Sequence, residues 1–288
     1  MSRLLPLLVL TALPALALDP ALRDNVDARF KQRQWPEAQA LLERATTAAP
    51  NDAEAWVRLG QVFQQVGNPD RAVEAMERAA VLAPANSDYQ RQLGDAYGFA
   101  AQKAGMLSKM GWAKKCKAAY EMAVALDPRN LDARWSVMEY CRQAPGFVGG
   151  GMDQAYAQAE EIRKLDANRG RIALATLYVA EKKMVEAFGL FDEALKSDPD
   201  NYTTLYQLGR LSAMTGQRLD QGIDNLRKCL TLPQPAGQPG AAPVNWRLGN
   251  ILEKKGDKAA AKAAYEAAIA IDPGFVPALE SLRKLNAG

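Results

Sequence analysis

A short pattern recurs along this chain, and its period restricts the fold more than any other feature. A leucine followed at once by a small residue stands at Leu59-Gly60, Leu93-Gly94, Leu174-Ala175, Leu208-Gly209 and Leu248-Gly249. A second small residue follows in each copy, at Ala38, Ala72, Cys116, Ala155, Ala187, Gly222 and Ala261. Four positions later comes Leu42, Met76, Tyr120, Ala159, Phe191, Leu226 or Tyr265, and in most copies a further small residue such as Ala45, Ala79, Ala123, Ala194 or Ala268. Prolines punctuate the copies: Pro50 to Pro84 is 34 residues, Pro84 to Pro128 is 44, Pro128 to Pro199 is 71 and Pro199 to Pro273 is 74. Small side chains let two helices approach closely, and the large ones fill the space between them. Such a pair exposes an apolar face that only another pair can cover, so the units must stack. A proline after the second helix stops it, because it lacks the N–H that the helix needs.

These residues at this period resemble the tetratricopeptide repeat, a helix-turn-helix unit of about 34 residues. The likeness covers nearly all of residues 18–288. It implies an all-α fold: a right-handed superhelical α-solenoid of about seven repeats, starting near residues 19, 53, 87, 131, 168, 202 and 242, with a capping helix over 276–288. Trp56 matches the family's core tryptophan and is assigned to packing.

Composition narrows the chemistry. The chain has no histidine, which removes Ser-His-Asp and Cys-His catalysis and every His-ligated metal site. Lys and Arg number 36 against 33 Asp and Glu, so no strong charge argues for nucleic acid. Cys116, Cys141 and Cys229 are far apart and form no C-x-x-C, so neither a zinc knuckle nor thioredoxin-like chemistry is supported. Cys116 and Cys229 fall on small core slots and read as buried hydrophobes. No cofactor or metal is expected. The start, "MSRLLPLLVLTALPALALDP", combines Arg3, an apolar run from Leu4 to Leu13 and the small-x-small site Ala15-Leu16-Ala17. This reads as a signal peptide over residues 1–17, cleaved after Ala17, which predicts a periplasmic or secreted protein without stable membrane insertion.

Three segments depart from the repeat. In "APGFVGGGMDQA", Gly146 and Gly151 have the glycine spacing of a phosphate-binding loop, but Met152 and Asp153 replace the required Lys and Ser/Thr. The loop over 144–151 reads as a lengthened turn between two helices. The ten extra residues of the third copy extend a hairpin at about 98–115. There Lys103, Lys109, Trp112, Lys114 and Lys115 form a candidate docking surface for an acidic partner or a membrane surface; a solvated lysine face is the plainer reading. A Pro/Gly-rich loop covers 232–243. The hairpin, the glycine loop and "GRLSAMTGQRLDQG" together resemble a group of exported bacterial tetratricopeptide proteins; the likeness bears on location and implies no particular activity.

In the family, the first helix of each pair lines the concave surface. One stripe at i, i+4 and i+7 of these helices selects peptide-groove candidates: Arg91 and Asp95; Trp135, Glu139 and Arg142; Ile172 and Thr176; Tyr206 and Arg210; Trp246 and Asn250. Aromatic rings beside arginines suit an extended peptide, and the same rings would equally fill the seam between repeats. The family's carboxylate clamp is not expected, because Trp246 stands where a lysine is wanted. Three functions compete: a non-enzymatic adaptor or scaffold of the bacterial cell envelope that binds a protein or peptide in the groove; a structural subunit that assembles through its hairpin and ends, homo-oligomers included; and, least supported, an enzyme.

Overall fold

A computed structural model describes residues 18–287. The expected signal peptide, residues 1–17, lies outside the described residues. Among the described residues the chain forms fifteen α-helices and no strand. They are α1 (Pro20–Lys31), α2 (Trp35–Ala48), α3 (Ala53–Gln65), α4 (Pro69–Leu82), α5 (Ser87–Lys103), α6 (Met106–Leu126), α7 (Leu131–Gln143), α8 (Met152–Leu165), α9 (Ala167–Ala180), α10 (Met184–Ser197), α11 (Tyr202–Thr215), α12 (Leu219–Thr231), α13 (Ala241–Lys254), α14 (Lys258–Ile271) and α15 (Val276–Ala287). Contacts divide the chain into two compact units, one ending at Gln158 and one starting at Ala159.

Local chemistry sets the helix starts. Pro50, Pro84, Pro128 and Pro199 are each followed two residues later by Asp52, Asn86, Asn130 or Asn201. Each of those side chains accepts a hydrogen bond from a backbone N–H in the first turn of α3, α5, α7 or α11. The proline forbids continuation of one helix, and the Asx side chain satisfies an orphan donor of the next.

In the first unit α1 packs on α2, α3 on α4 and α5 on α6, and α3 also meets α5 as α5 meets α7. In the second unit α9 packs on α10, α11 on α12 and α13 on α14, with α9 beside α11 and α11 beside α13. First helices therefore stand next to first helices within each unit, as stacked hairpins require. The repeated slots explain the closeness. A Cβ on Gly60, Gly94, Gly209 or Gly249 would meet Met76, Tyr120, Leu226 or Tyr265 respectively. Each glycine of a first helix thus receives the large residue of its second helix, and all seven lone small residues, from Ala38 to Ala261, are buried.

The departures are also packed features. α5 and α6 are the longest helices, at 17 and 21 residues, so the ten extra residues lengthen both arms of one hairpin. The glycine loop holds a 3₁₀ turn at Gly146–Val148. A Cβ on Gly150 would lie 1.7 Å from the Ala144 carbonyl oxygen, so only glycine lets the chain fold back here. Tyr140 Oη donates to the Val148 carbonyl at 2.8 Å and pins the loop. The loop joins two helices and follows no strand, so it is a lengthened turn. In the Pro/Gly loop, the Pro239 carbonyl accepts from Tyr202 Oη at 2.6 Å. All three cysteines are buried and unpaired. Burial pushes the thiols of Cys116 and Cys229 up to about 12, so both are inert core groups.

Candidate functional site

Where first helices run side by side, polar side chains bridge them. In the first unit Arg23 of α1 forks onto Glu54 of α3, with Nε and Nη2 at 2.9 and 2.6 Å from the carboxylate oxygens. Arg58 of α3 reaches Asp27 of α1, and also Glu54 one turn away on its own helix. Gln61 of α3 donates to Gln92 of α5 at 2.7 Å. The three bridges join residues 31 apart, one repeat less one helical turn. Glu54, Arg58 and Gln61 follow i, i+4, i+7 and form one polar stripe.

At Gln61, two residues after the leucine of its Leu-small pair, that stripe has the register of the predicted candidates Arg210 and Asn250; it departs from the predicted one at the place two residues before that leucine. Residues two before the leucine of each Leu-small pair were expected in the groove; Val57 and Tyr206 hold that place, and both are buried in the core. Tyr206 packs with Leu205, Val244 and Leu248, so its ring fills the stack between α11 and α13. Trp246 is half-buried against Ala242, Ala268 and Ala278. Its ring meets Phe275 edge-on at 5.9 Å and its Nε1 donates to Ser281 Oγ at 3.0 Å, so it seals α13 against α15. Both aromatics belong to the seam. A side chain turns about 100° per residue around a helix, so a shift of one position exchanges a groove place for a packing place.

The other candidates divide. Arg91 and Asp95 are half-buried and pair at 2.7 Å; Asp95 also accepts from Tyr120 Oη at 2.7 Å. Burial raises the Asp95 carboxyl above its ordinary value, with Tyr120 and Arg91 opposing. Glu139 and Arg142 pair with each other at 2.5 Å. Trp135 is half-buried. Ile172 packs against the Phe188 and Phe191 cluster, and the Thr176 hydroxyl donates to the Ile172 carbonyl at 2.8 Å, so neither presents a group for a ligand. Arg210 is half-buried, and Asn250 accepts from Tyr265 Oη at 2.9 Å through its Oδ1. Sequence reasoning missed Arg247, which is partly buried beside Arg210 and Tyr206. Its signal was available: Arg58, Gln92 and Arg247 all stand directly before the leucine of a Leu-small pair.

The extended hairpin uses part of its candidate set internally. Trp112 stacks on Tyr97 at 5.8 Å, and Lys115 Nζ lies 4.8 and 5.2 Å from those two rings. Lys103, Lys109 and Lys114 are exposed, as are Met106 and Leu107 at 87% and 92%. Among the described residues no cluster of acids and cysteines could hold a metal ion, and no helix is long and apolar enough to cross a membrane.

Stacked helical hairpins whose first helices present a polar stripe define an α-helical repeat protein. Models of the tetratricopeptide repeat match residues 23–87, 58–97 and 242–275. A tetratricopeptide repeat protein from Parabacteroides merdae is similar in structure, with 16% identity, 93% of this chain and 98% of that chain covered, and a TM-score of 0.57. A thermophilic TPR protein from Thermus thermophilus shares 19% identity over 73% of this chain and 98% of its own, with a TM-score of 0.50. No curated protein matches the chain in sequence. The chain carries tetratricopeptide repeats over residues 23–97 and 242–275, and proteins built of this repeat generally act as protein-interaction scaffolds.

Proposed function

We propose that this protein is a non-enzymatic adaptor of the bacterial cell envelope that holds a segment of a protein partner along its first helices. The observation that carries the reading is the set of polar groups that each unit presents on its neighbouring first helices, such as half-buried Gln61 in the first unit and Arg210 and Asn250 in the second. Rows of this kind suit an extended chain, whose backbone and side chains need hydrogen-bond partners at regular intervals. The apolar start with its Ala15-Leu16-Ala17 site supports export. Photo-crosslinking residues placed at Gln61 and Asn250 in intact cells test the groove. The same protein partner is expected at both positions and absent from a control at Val81, which is exposed on α4. Equal capture at all three, or none at the first two, would overturn the reading. Fractionation tests the location: an extracytoplasmic protein starting at Leu18 is expected, and a full-length cytoplasmic one refutes export.

The exposed Met106 and Leu107 favour a second reading, a structural subunit that docks through the lengthened hairpin. Removal of residues 103–112 would then change the assembly mass in light scattering; an unchanged mass removes it.

A further inference from the structure

α11 and α13 each hold one arginine without a carboxylate. Arg210 of α11 donates through Nη1 to Gln207 Oε1 at 3.1 Å, and Arg247 of α13 donates through Nε to Tyr206 Oη at 3.4 Å. The Arg247 guanidinium also lies over the Trp246 ring, 4.5 Å from its centre. Among the described residues neither arginine forms an ion pair. The contrast with the first unit is direct: Arg23, Arg58 and Arg91 each reach an Asp or Glu side chain. Each guanidinium has five N–H donors and uses one here, and the remaining donors are not among the sealed, unpartnered atoms. They are therefore open to a ligand. One turn further along the same two helices an open cleft is lined by Ala213, Asn250, Glu253 and Lys254, with Glu253 held by Tyr265 Oη at 2.7 Å.

Two partly desolvated cations side by side repel each other. Burial first, and then Arg247, lower the pKa of Arg210 below its ordinary value, yet an arginine stays charged in water near neutral pH. Such a pair costs stability in the free protein and is relieved when an anion enters. We infer that Arg210 and Arg247 form a receptor for an Asp or Glu side chain of the bound segment, resting on the groove reading above. The chain's own stacking supplies the precedent: Arg58, which stands before its Leu-small pair as Arg247 does, is satisfied by Asp27 and Glu54, and Arg247 has no such partner between α11 and α13. A planar guanidinium pair takes a carboxylate in bidentate fashion, and the cleft past Asn250 leaves room for the rest of an extended chain.

A random peptide library with amidated C-termini, selected on the full chain, tests this. The selected peptides should be enriched in Asp or Glu at one position. Their affinity should fall about tenfold or more on Arg210→Gln and on Arg247→Gln, and equally when the peptide's acid is replaced by its amide. Removing one of two like charges should leave the melting temperature unchanged or raised, which separates lost binding from lost folding. Selected peptides that carry no acid, or that bind the Gln variants as tightly, overturn the arginine receptor and leave the groove standing. A selection that yields no binder at all removes the groove and the receptor together.

Discussion

Gly94 and Gly249 show how a single residue fixes helix separation. A Cβ on Gly94 would lie 2.4 and 2.5 Å from Cδ1 and Cε1 of Tyr120, and one on Gly249 would lie 2.4 and 2.6 Å from Cε1 and Cδ1 of Tyr265. Neither ring has room to retreat: Tyr120 Oη is tied to Asp95, and Tyr265 Oη to Asn250 and Glu253. At Gly60 the opposing atoms, at 2.9 Å, belong to Met76, a flexible thioether. Alanine gains about 1 kcal/mol of helix propensity over glycine, while overpacking costs about 1–3 kcal/mol. Gly94→Ala and Gly249→Ala should therefore destabilise, and Gly60→Ala should be near neutral; urea denaturation of the three variants gives the order. The Leu-small pairs were legible because the same close packing recurs in five copies. The binding residues were not: nothing repeats a ligand contact, and the large aromatics Tyr206 and Trp246 draw attention to a stripe one position away from Arg247.

Within the hairpins, the turn between the two helices repeats one backbone path. Asn68 N–H bonds to the Phe63 carbonyl at 2.8 Å, Asp257 to Leu252 at 3.0 Å, Gln34 to Arg29 at 2.9 Å and Lys183 to Tyr178 at 2.8 Å. The residue before each donor is left-handed: Gly67 at φ 82°, Gly256 at 85°, Arg33 at 55° and Lys182 at 60°. The path is set by the hydrogen bonds and not by residue type, which is why sequence alone marks two of the four turns with glycine and leaves Arg33 and Lys182 unmarked. A side chain in this region costs about 1–2 kcal/mol, and glycine loses about 0.5–1 kcal/mol more entropy on folding. Arg33→Gly and Lys182→Gly should then stabilise by roughly 0.5 kcal/mol. Gly67→Ala and Gly256→Ala should move the other way. Thermal melts of all four variants check the sign; a loss of stability in Lys182→Gly would show that its backbone is not strained.

Across the whole chain, stability is carried from neighbour to neighbour. α3 touches α2 and α4 and reaches α5, but makes no comparable contact with a helix further along, and α11 and α13 behave alike in the second unit. Each hydrophobic cluster is accordingly local: Leu42 packs with Val26, Leu59, Val62 and Phe63, and Leu226 with Leu205, Val244 and Tyr265. The fold class was readable from the sequence for this reason, since a structure made of nearest-neighbour stacking writes the same packing rule into each copy. A partner's identity is written only once and has no period to betray it. The same locality predicts how the molecule unfolds. Leu42 is fully buried, so Leu42→Ala should cost about 2–5 kcal/mol at its site. In a stacked array that loss is felt mainly where the interface terms include it. Hydrogen exchange should show α1 to α4 losing protection strongly in Leu42→Ala, while amides of α13 and α14 exchange as in the wild type. Uniform loss along all fifteen helices would mean that the chain unfolds as one cooperative body, and that its stability is not a sum over neighbouring hairpins.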